Sequence, residues 1–60
     1  MWELIERMDN SHSLWRGTDA EGRRVWGVSK DWNDGTAVEP TWAQTYYSRV
    51  AAVEAAYDGN

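Results

Sequence analysis

The chain has 60 residues, no cysteine, one histidine, and ten acidic against six basic residues, which gives a net charge of −4 at pH 7. A chain of this length buries only about 60% of the surface that its unfolded form exposes. Without disulfides, its five tryptophans and three tyrosines have to supply much of the core. This size predicts one domain spanning residues 1–60 and excludes most enzyme architectures.

The first half of the sequence predicts three antiparallel β-strands. Alternating apolar and polar residues place them at about residues 2–8, 12–17 and 23–30. Turn-forming residues separate the strands at Asp9-Asn10-Ser11 and between Thr18 and Gly22. We expect Asp19 to begin a type I turn and Gly22 to close it in the left-handed conformation.

These turns predict a register, and the register predicts two faces of the sheet. A loop of residues 19–22 pairs Thr18 with Arg23 and Trp15 with Trp26, and a two-residue first loop places Met8 opposite Ser13. One face is then the core, with Trp2, Leu4, Met8, Trp15, Trp26 and Val28. The other face is expected to be open to solvent, with Ile5, Leu14 and Val25 bordered by Arg7, Arg16 and Arg23.

After the strands, the connection to the helix contains a turn signal at Asn33-Asp34-Gly35. Residues 36–38 fit either a loop or a short fourth strand. Trp32 precedes the turn, and we expect it to fold over the end of the core. An exposed Trp32 would instead be an anchor for a binding partner.

From Pro40 onward the hydrophobic period becomes helical, which predicts a helix over residues 41–57. Apolar side chains within an arc of about 80° form its predicted inner stripe: Trp42, Tyr46, Val50, Val53 and Tyr57. Thr41 and Gln44 fit a capping box, although Glu39 followed by Pro40 is an alternative start, and Gly59 is expected to end the helix. The predicted fold is therefore α+β: a three-stranded antiparallel meander, with or without a short fourth strand, and one C-terminal helix packed on one face.

The residues that could perform chemistry do not form a recognisable site in the sequence. His12 lies between Ser11 and Ser13, but the members of a catalytic triad converge from separate parts of a fold. Residues 31–35 resemble the start of a calcium loop, yet the twelfth position, which should be glutamate, is Trp42. We therefore predict no catalytic residue, no cofactor, no metal site and no enzyme activity.

The first residues carry acids where a signal peptide needs bases, and no apolar run reaches the length of a membrane span. The sequence therefore predicts a cytoplasmic protein that does not contact a membrane.

The remaining surfaces predict a protein partner. Arginines beside aliphatic residues are typical of interfaces, so the first candidate binding surface consists of Ile5, Arg7, Leu14, Arg16, Arg23, Val25 and Trp32. The second candidate is the outer face of the predicted helix, with Tyr47, Ala51, Glu54 and Ala55.

The sequence thus favours a non-catalytic protein–protein interaction module, a small inhibitor or adaptor of the phage or mobile-element accessory type. One alternative is a sheet that binds single-stranded nucleic acid through Arg7, Arg16 and Arg23, although the acidic net charge opposes this. Another is a homo-oligomer, such as a homodimer, that assembles through the alanine-rich helix face.

Overall fold

A computed structural model describes residues 1–58 as a four-stranded antiparallel sheet with one helix packed on it. The strands are β1 (Glu3–Arg7), β2 (His12–Thr18), β3 (Arg24–Lys30) and the two-residue β4 (Thr45–Tyr46), and each pairs with the next in sequence. The helix α1 (Arg49–Asp58) closes the fold. The predicted α+β meander with a C-terminal helix is confirmed, and so are the positions of its first three strands.

The helix α1 has ten residues, and the described residues, 1–58, contain no helix that could span a lipid bilayer. The predicted helix end at Gly59 lies outside the described residues.

Three loops of the chain share one geometry. Each loop has three residues, and the two residues that flank it are hydrogen-bonded to each other. The loops are residues 9–11, 20–22 and 33–35, and in each the residue before the loop donates its N–H to the carbonyl of the residue after it, at N···O distances of 2.7, 2.9 and 3.0 Å. The last loop residues, Ser11, Gly22 and Gly35, have φ angles of 66°, 83° and 85°. This left-handed conformation suits glycine and is unfavourable for serine. The predicted role of Gly22 is confirmed.

The register of the second hairpin differs from the prediction by one residue. Asp19 pairs with Arg23 because it lies outside the loop, so Thr18 pairs with Arg24 and not with Arg23. When the pairing shifts by one residue, each side chain of one strand moves to the opposite face of the sheet relative to the strand beside it.

As a result, Trp15 and Trp26 lie on opposite faces of the sheet, and the predicted pair is wrong. Trp15 pairs with Gly27, whereas Leu14 pairs with Val28 on the side that α1 covers. Trp26 packs on that same side.

The register of the first hairpin also differs, because its loop has three residues and not two. Ser13 pairs with Arg7, where Met8 was predicted. An irregularity in pairing between Leu4 and Glu6 marks a bulge at Ile5, a device that interrupts an exposed sheet edge.

The sheet side under α1, which we call the helix face, holds an aliphatic core. Its buried residues are Leu14, Val28, Ala52 and Ala56, with Ile5, Met8, Trp26, Tyr46 and Val53 packed around them. Because alanine is small, the backbone of α1 can lie close to the strands. The predicted core, which grouped Trp2, Leu4 and Trp15 with Trp26 and Val28, therefore mixes residues of two faces.

The predicted helix is wrong over its first half, where the chain forms a 3₁₀ turn (Trp42–Gln44) and then β4. The side chain of Gln44 accepts the backbone N–H of Thr41 at 2.8 Å, as the capping box predicts, but it caps only this turn. The helix begins after Ser48, whose hydroxyl oxygen accepts the N–H of Ala51 at 3.0 Å.

Because α1 begins late, the predicted apolar stripe does not face the sheet as a unit. Trp42, Val50 and Tyr57 are exposed, whereas Tyr46 and Val53 pack against the core.

The opposite side of the sheet, which we call the connector face, is covered by residues 31–41, which we call the connector, and by Trp2. Pro40 is buried against Gly27, where a Cβ atom would lie only 2.5 Å from its Cγ. The hydroxyl of Ser29 donates to the carbonyl of Val38. Residues 36–38 form no strand, so the fourth strand lies at β4.

Both faces of the sheet are covered, so the expectation that Ile5, Leu14 and Val25 form an open aliphatic strip is wrong. Leu14 is fully buried on the helix face, and Val25 is 2% exposed on the connector face. Ile5 packs against the helix-side core. These three side chains do not share a solvent-exposed surface.

Candidate functional site: the Trp32 cleft

A cleft of about 490 Å³ lies where the first loop meets the start of the connector. We call it the Trp32 cleft. Its lining residues are Arg7, Met8, Asp9, Ser11, Lys30, Asp31, Trp32, Asn33 and Gly35. Its volume falls within the range of about 300–1,000 Å³ that is typical of ligand-binding clefts.

A network of hydrogen bonds around Asp31 fixes one side of this cleft. The Arg7 guanidinium donates to the Asp31 carboxylate, with a shortest distance of 2.8 Å from Nη2, and the Ser13 hydroxyl donates at 2.5 Å. Arg7 Nη2 also donates to the carbonyl of Gly35. The Asp31 side chain is only 4% exposed, whereas that of Arg7 is 48% exposed. Arg7 is thus held in place while still presenting part of its guanidinium to solvent.

The charge state of Asp31 follows from two opposing effects. Burial opposes ionisation of the carboxyl, but the hydrogen bonds from Ser13 and Arg7 outweigh it, and the net result is a pKa below the ordinary value. Asp31 is therefore ionised at neutral pH and forms an ion pair with Arg7.

Trp32 projects at the edge of this fixed network and is 66% exposed. Its backbone is held on both sides, since its N–H donates to Thr36 and its carbonyl accepts from Gly35 at 2.8 Å. The expectation that Trp32 covers the end of the core is wrong. An exposed tryptophan on a fixed backbone has the character of an interface anchor.

Most of the cations of the protein are already paired with carboxylates. Four arginines form five ion pairs: Arg7 with Asp31, Arg16 with Glu3, Arg23 with Asp19 and Glu21, and Arg49 with Glu6. Lys30 and Arg24 are exposed and have no ion-pair partner among the described residues. Only Lys30 of these two lines the Trp32 cleft.

The structure brings together two of the seven residues of the first predicted surface, Arg7 and Trp32. Arg16 lines a separate groove beside Trp2. Arg23 lies at the second loop, with its guanidinium carbon 5.0 Å from the centre of the Tyr47 ring.

The second predicted surface, on the helix, is divided by the packing of α1. Tyr47 and Glu54 are exposed, but Ala51 and Ala55 are half-buried. Their neighbours Ala52 and Ala56 are buried against the sheet. The alanine-rich side of the helix is therefore largely its packing face, and not an outer face.

Lys30 and Asp31 line the cleft, and the buried Ser13 donates to Asp31, but none of the three was predicted from the sequence as a binding residue. The hydrogen bond from Ser13 to Asp31 forms because the connector crosses the sheet, and no local sequence pattern predicts that crossing. The one available signal was the Asn33-Asp34-Gly35 turn, which sends the chain back over the strands.

Comparison with protein-family models, with curated proteins and with solved structures finds no match to this chain.

Proposed function

We propose that the chain is a non-catalytic protein–protein interaction module, a small inhibitor or adaptor that binds a partner protein through the Trp32 cleft. The observation that supports this most strongly is the exposure of Trp32, two-thirds of whose surface is open beside a cleft. Burying a whole tryptophan side chain removes roughly 150–250 Å² from solvent, so the exposed two-thirds of Trp32 could bury roughly 100–170 Å² at the centre of an interface.

The fixed geometry of the cleft adds to this support. Asp31, Arg7 and Gly35 are linked by hydrogen bonds, so little side-chain freedom is lost there when a partner binds.

The alternative of nucleic-acid binding through Arg7, Arg16 and Arg23 is less well supported. Each of these arginines forms an ion pair with a carboxylate of the same chain, so a phosphate backbone would have to compete with it. The net charge of −4 adds repulsion.

The test is affinity capture from a lysate of the cells that produce the protein, with wild type compared against Trp32→Ala. We expect Trp32→Ala to remove the captured partner while leaving the fold intact, because the indole is mostly outside the core. The matched control is Val50→Ala, since Val50 is equally exposed, at 66%, but lies on α1 away from the lining of the cleft. Equal capture by all three proteins would contradict the proposal.

A further inference from the structure

We infer that the helix face carries a binding site for one phosphate group, in a pocket where the last turn of α1 meets the sheet. This pocket has a volume of about 160 Å³, and we call it the His12 pocket. It is a different site from the Trp32 cleft, although Lys30 lines both, and the inference does not depend on the proposed function.

Four polar side chains from three strands and the 3₁₀ turn line the His12 pocket: His12, Lys30, Gln44 and Tyr46. The strand pairing brings them to one end of the helix face. His12 lies directly opposite Lys30 on β2 and β3, and Tyr46 on β4 lies opposite Trp26 of β3. Residues that are far apart in the sequence therefore contribute to one small lining.

Three of these side chains offer hydrogen-bond donors that are free within residues 1–58. The ammonium of Lys30 and the hydroxyl of Tyr46 form no hydrogen bond there, and both end in N–H or O–H groups. The side-chain oxygen of Gln44 accepts from Thr41, so its NH₂ group is the end that remains free. The pocket therefore offers a ligand mainly donors.

The imidazole of His12 adds a group that can hydrogen-bond to either form of a phosphate. Its Nδ1 lies 3.1 Å from the carbonyl oxygen of Asn10, which can only accept, so Nδ1 carries a hydrogen. Nε2 can then accept a hydrogen from a P–OH group or, once protonated, donate to a P–O⁻ group. Phosphate esters lose their last proton at about pH 6, so both groups occur near neutral pH. A carboxylate has no such hydrogen at that pH.

The charges of the lining favour an anion. Its two bases, Lys30 and His12, have no carboxylate within ion-pair distance in the described part of the chain, and the lining includes no aspartate or glutamate. Asp31 follows Lys30 in the sequence, but its carboxylate is bound on the connector face by Arg7 and Ser13. An anion in the pocket would therefore meet two bases that no acid of the lining neutralises.

The size of the His12 pocket selects a single small group. A volume of this order, about 150 Å³, accommodates one benzene molecule in an apolar cavity, so a phosphate with a few further atoms fits and a folded peptide segment does not. The rest of the lining is apolar and consists of Val28, Ala55 and Ala56. The negative end of the dipole of α1 opposes an anion here, but the carbonyl of Ala56 already accepts the side-chain N–H of Asn10 at 3.1 Å.

The inference can be tested by NMR with inorganic phosphate as the probe. The readout is the pair of imidazole C–H resonances of His12, which need no assignment by mutagenesis because the chain has one histidine. Phosphate replaces chloride at constant pH and ionic strength. We expect a saturable shift with half-saturation at millimolar phosphate or below, and at least severalfold weaker binding of acetate.

Three variants separate the pocket from the general charge of the protein. Lys30→Gln should weaken phosphate binding by about two- to fivefold, the size expected for an exposed ion pair. Tyr46→Phe keeps the ring that packs against the core and removes the hydroxyl, and it should weaken binding by about fivefold or more. The control is Arg24→Gln, which removes the other unpaired base from a groove beside Trp2 and should leave the affinity unchanged.

Methyl phosphate distinguishes the two sources of the group. Tighter binding than that of inorganic phosphate supports the terminal phosphate of a small organic molecule, and weaker binding supports free phosphate.

Three results would overturn the inference. The first is a shift of His12 that stays linear in phosphate, which indicates a general salt effect. The second is binding of acetate as tight as that of phosphate. The third is an affinity that is the same in Lys30→Gln, Tyr46→Phe and Arg24→Gln.

Discussion

The two faces of the sheet are covered by different kinds of structure. On the helix face, the side chains of Leu14 and Val28 form an apolar cluster with those of Ala52 and Ala56. A helix satisfies its own backbone hydrogen bonds, so it requires only an apolar surface beneath it.

The connector face is covered by an irregular segment, which has to find hydrogen-bond partners for its polar groups. Buried Ser13 and Ser29 provide them by donating to Asp31 and to the carbonyl of Val38. Gly27 leaves room for Pro40 to approach the strand. A chain of 60 residues thus covers a second face without a second helix, because the small or polar strand residues Ser13, Gly27 and Ser29 lie there beside the buried Trp15 and Val25.

The largest expected effect of a single substitution is on the helix face. Leu14→Ala should lower the free energy of unfolding by about 2–5 kcal/mol, because Leu14 is fully buried and its removal leaves a cavity. Urea denaturation followed by tryptophan fluorescence measures this. Leu4→Ala is the control, since Leu4 is 41% exposed and its loss should cost much less. Equal losses would contradict the assignment of Leu14 to the core.

On the helix face, removing side-chain atoms should lower the stability of the fold. On the connector face, adding a methyl group should lower it. Gly27→Ala should lower the free energy of unfolding by about 1–3 kcal/mol, since the new Cβ would lie 2.5 Å from Pro40 and 3.1 Å from Trp2. It should also speed proteolytic cleavage within residues 31–41 more than cleavage of α1. Unchanged stability together with unchanged cleavage would show that Pro40 does not pack on β3 as described.

The connector face should also be the more sensitive to acid. Because the pKa of Asp31 is lowered in the folded state, its contribution to stability is present above the ordinary aspartate pKa of about 3.9 and is lost as the pH falls through the lower folded-state value. The pKa values of Asp19 and Asp34 are lowered too, by hydrogen bonds from the backbone of Arg23 and from Thr36.

We therefore expect the wild type to lose stability between pH 7 and pH 3, and Asp31→Asn to lose less over the same interval. Urea denaturation at both pH values measures the two losses. A pH dependence identical to that of the wild type would contradict the role given to the Asp31 network.

The smallest expected effect is at the first loop, where the carbonyl of Ser11 accepts the N–H of Asp31 at the start of the connector. Ser11→Gly should raise the free energy of unfolding by about 0.5–1 kcal/mol, because glycine removes the cost of a φ angle of 66° at the expense of some chain entropy. Gly22→Ala should lower it by about 1 kcal/mol, since nothing lies within 4 Å of the added Cβ and only the φ angle of 83° opposes it. Thermal denaturation measures both changes, and a destabilised Ser11→Gly would contradict the shared loop geometry.

The local parts of the fold could be predicted from the sequence because local chemistry determines them. Alternation placed the first three strands, and Gly22 marked the residue that closes a loop. Register could not be predicted, because it depends on whether Asp19 is counted in the loop or in the strand. Because Asp19 lies outside the loop, Leu14 and not Trp15 lies on the same face of the sheet as Trp26 and Val28 of β3.

The start of the helix was mispredicted because a helical apolar period continued backward through β-forming residues. Thr45 and Tyr46 pair with β3, and the true signal for the helix start was Ser48 as N-cap.

Of the candidate site, Trp32 and Arg7 were predictable as large or charged residues without a place in the core. Their proximity to Lys30 was not, since it depends on how the connector crosses the sheet.

The most direct test of the central claim, that the Trp32 cleft is a binding surface for a protein, is site-specific photocrosslinking in the cells that produce the protein. The crosslinker p-benzoylphenylalanine would replace Asn33, an exposed residue of the cleft lining that leaves Trp32 in place, in one variant and Val50 on α1 in another. The account predicts an adduct of one defined mass from position 33 and none of that mass from position 50. No adduct at position 33, or the same adducts at both positions, would contradict it.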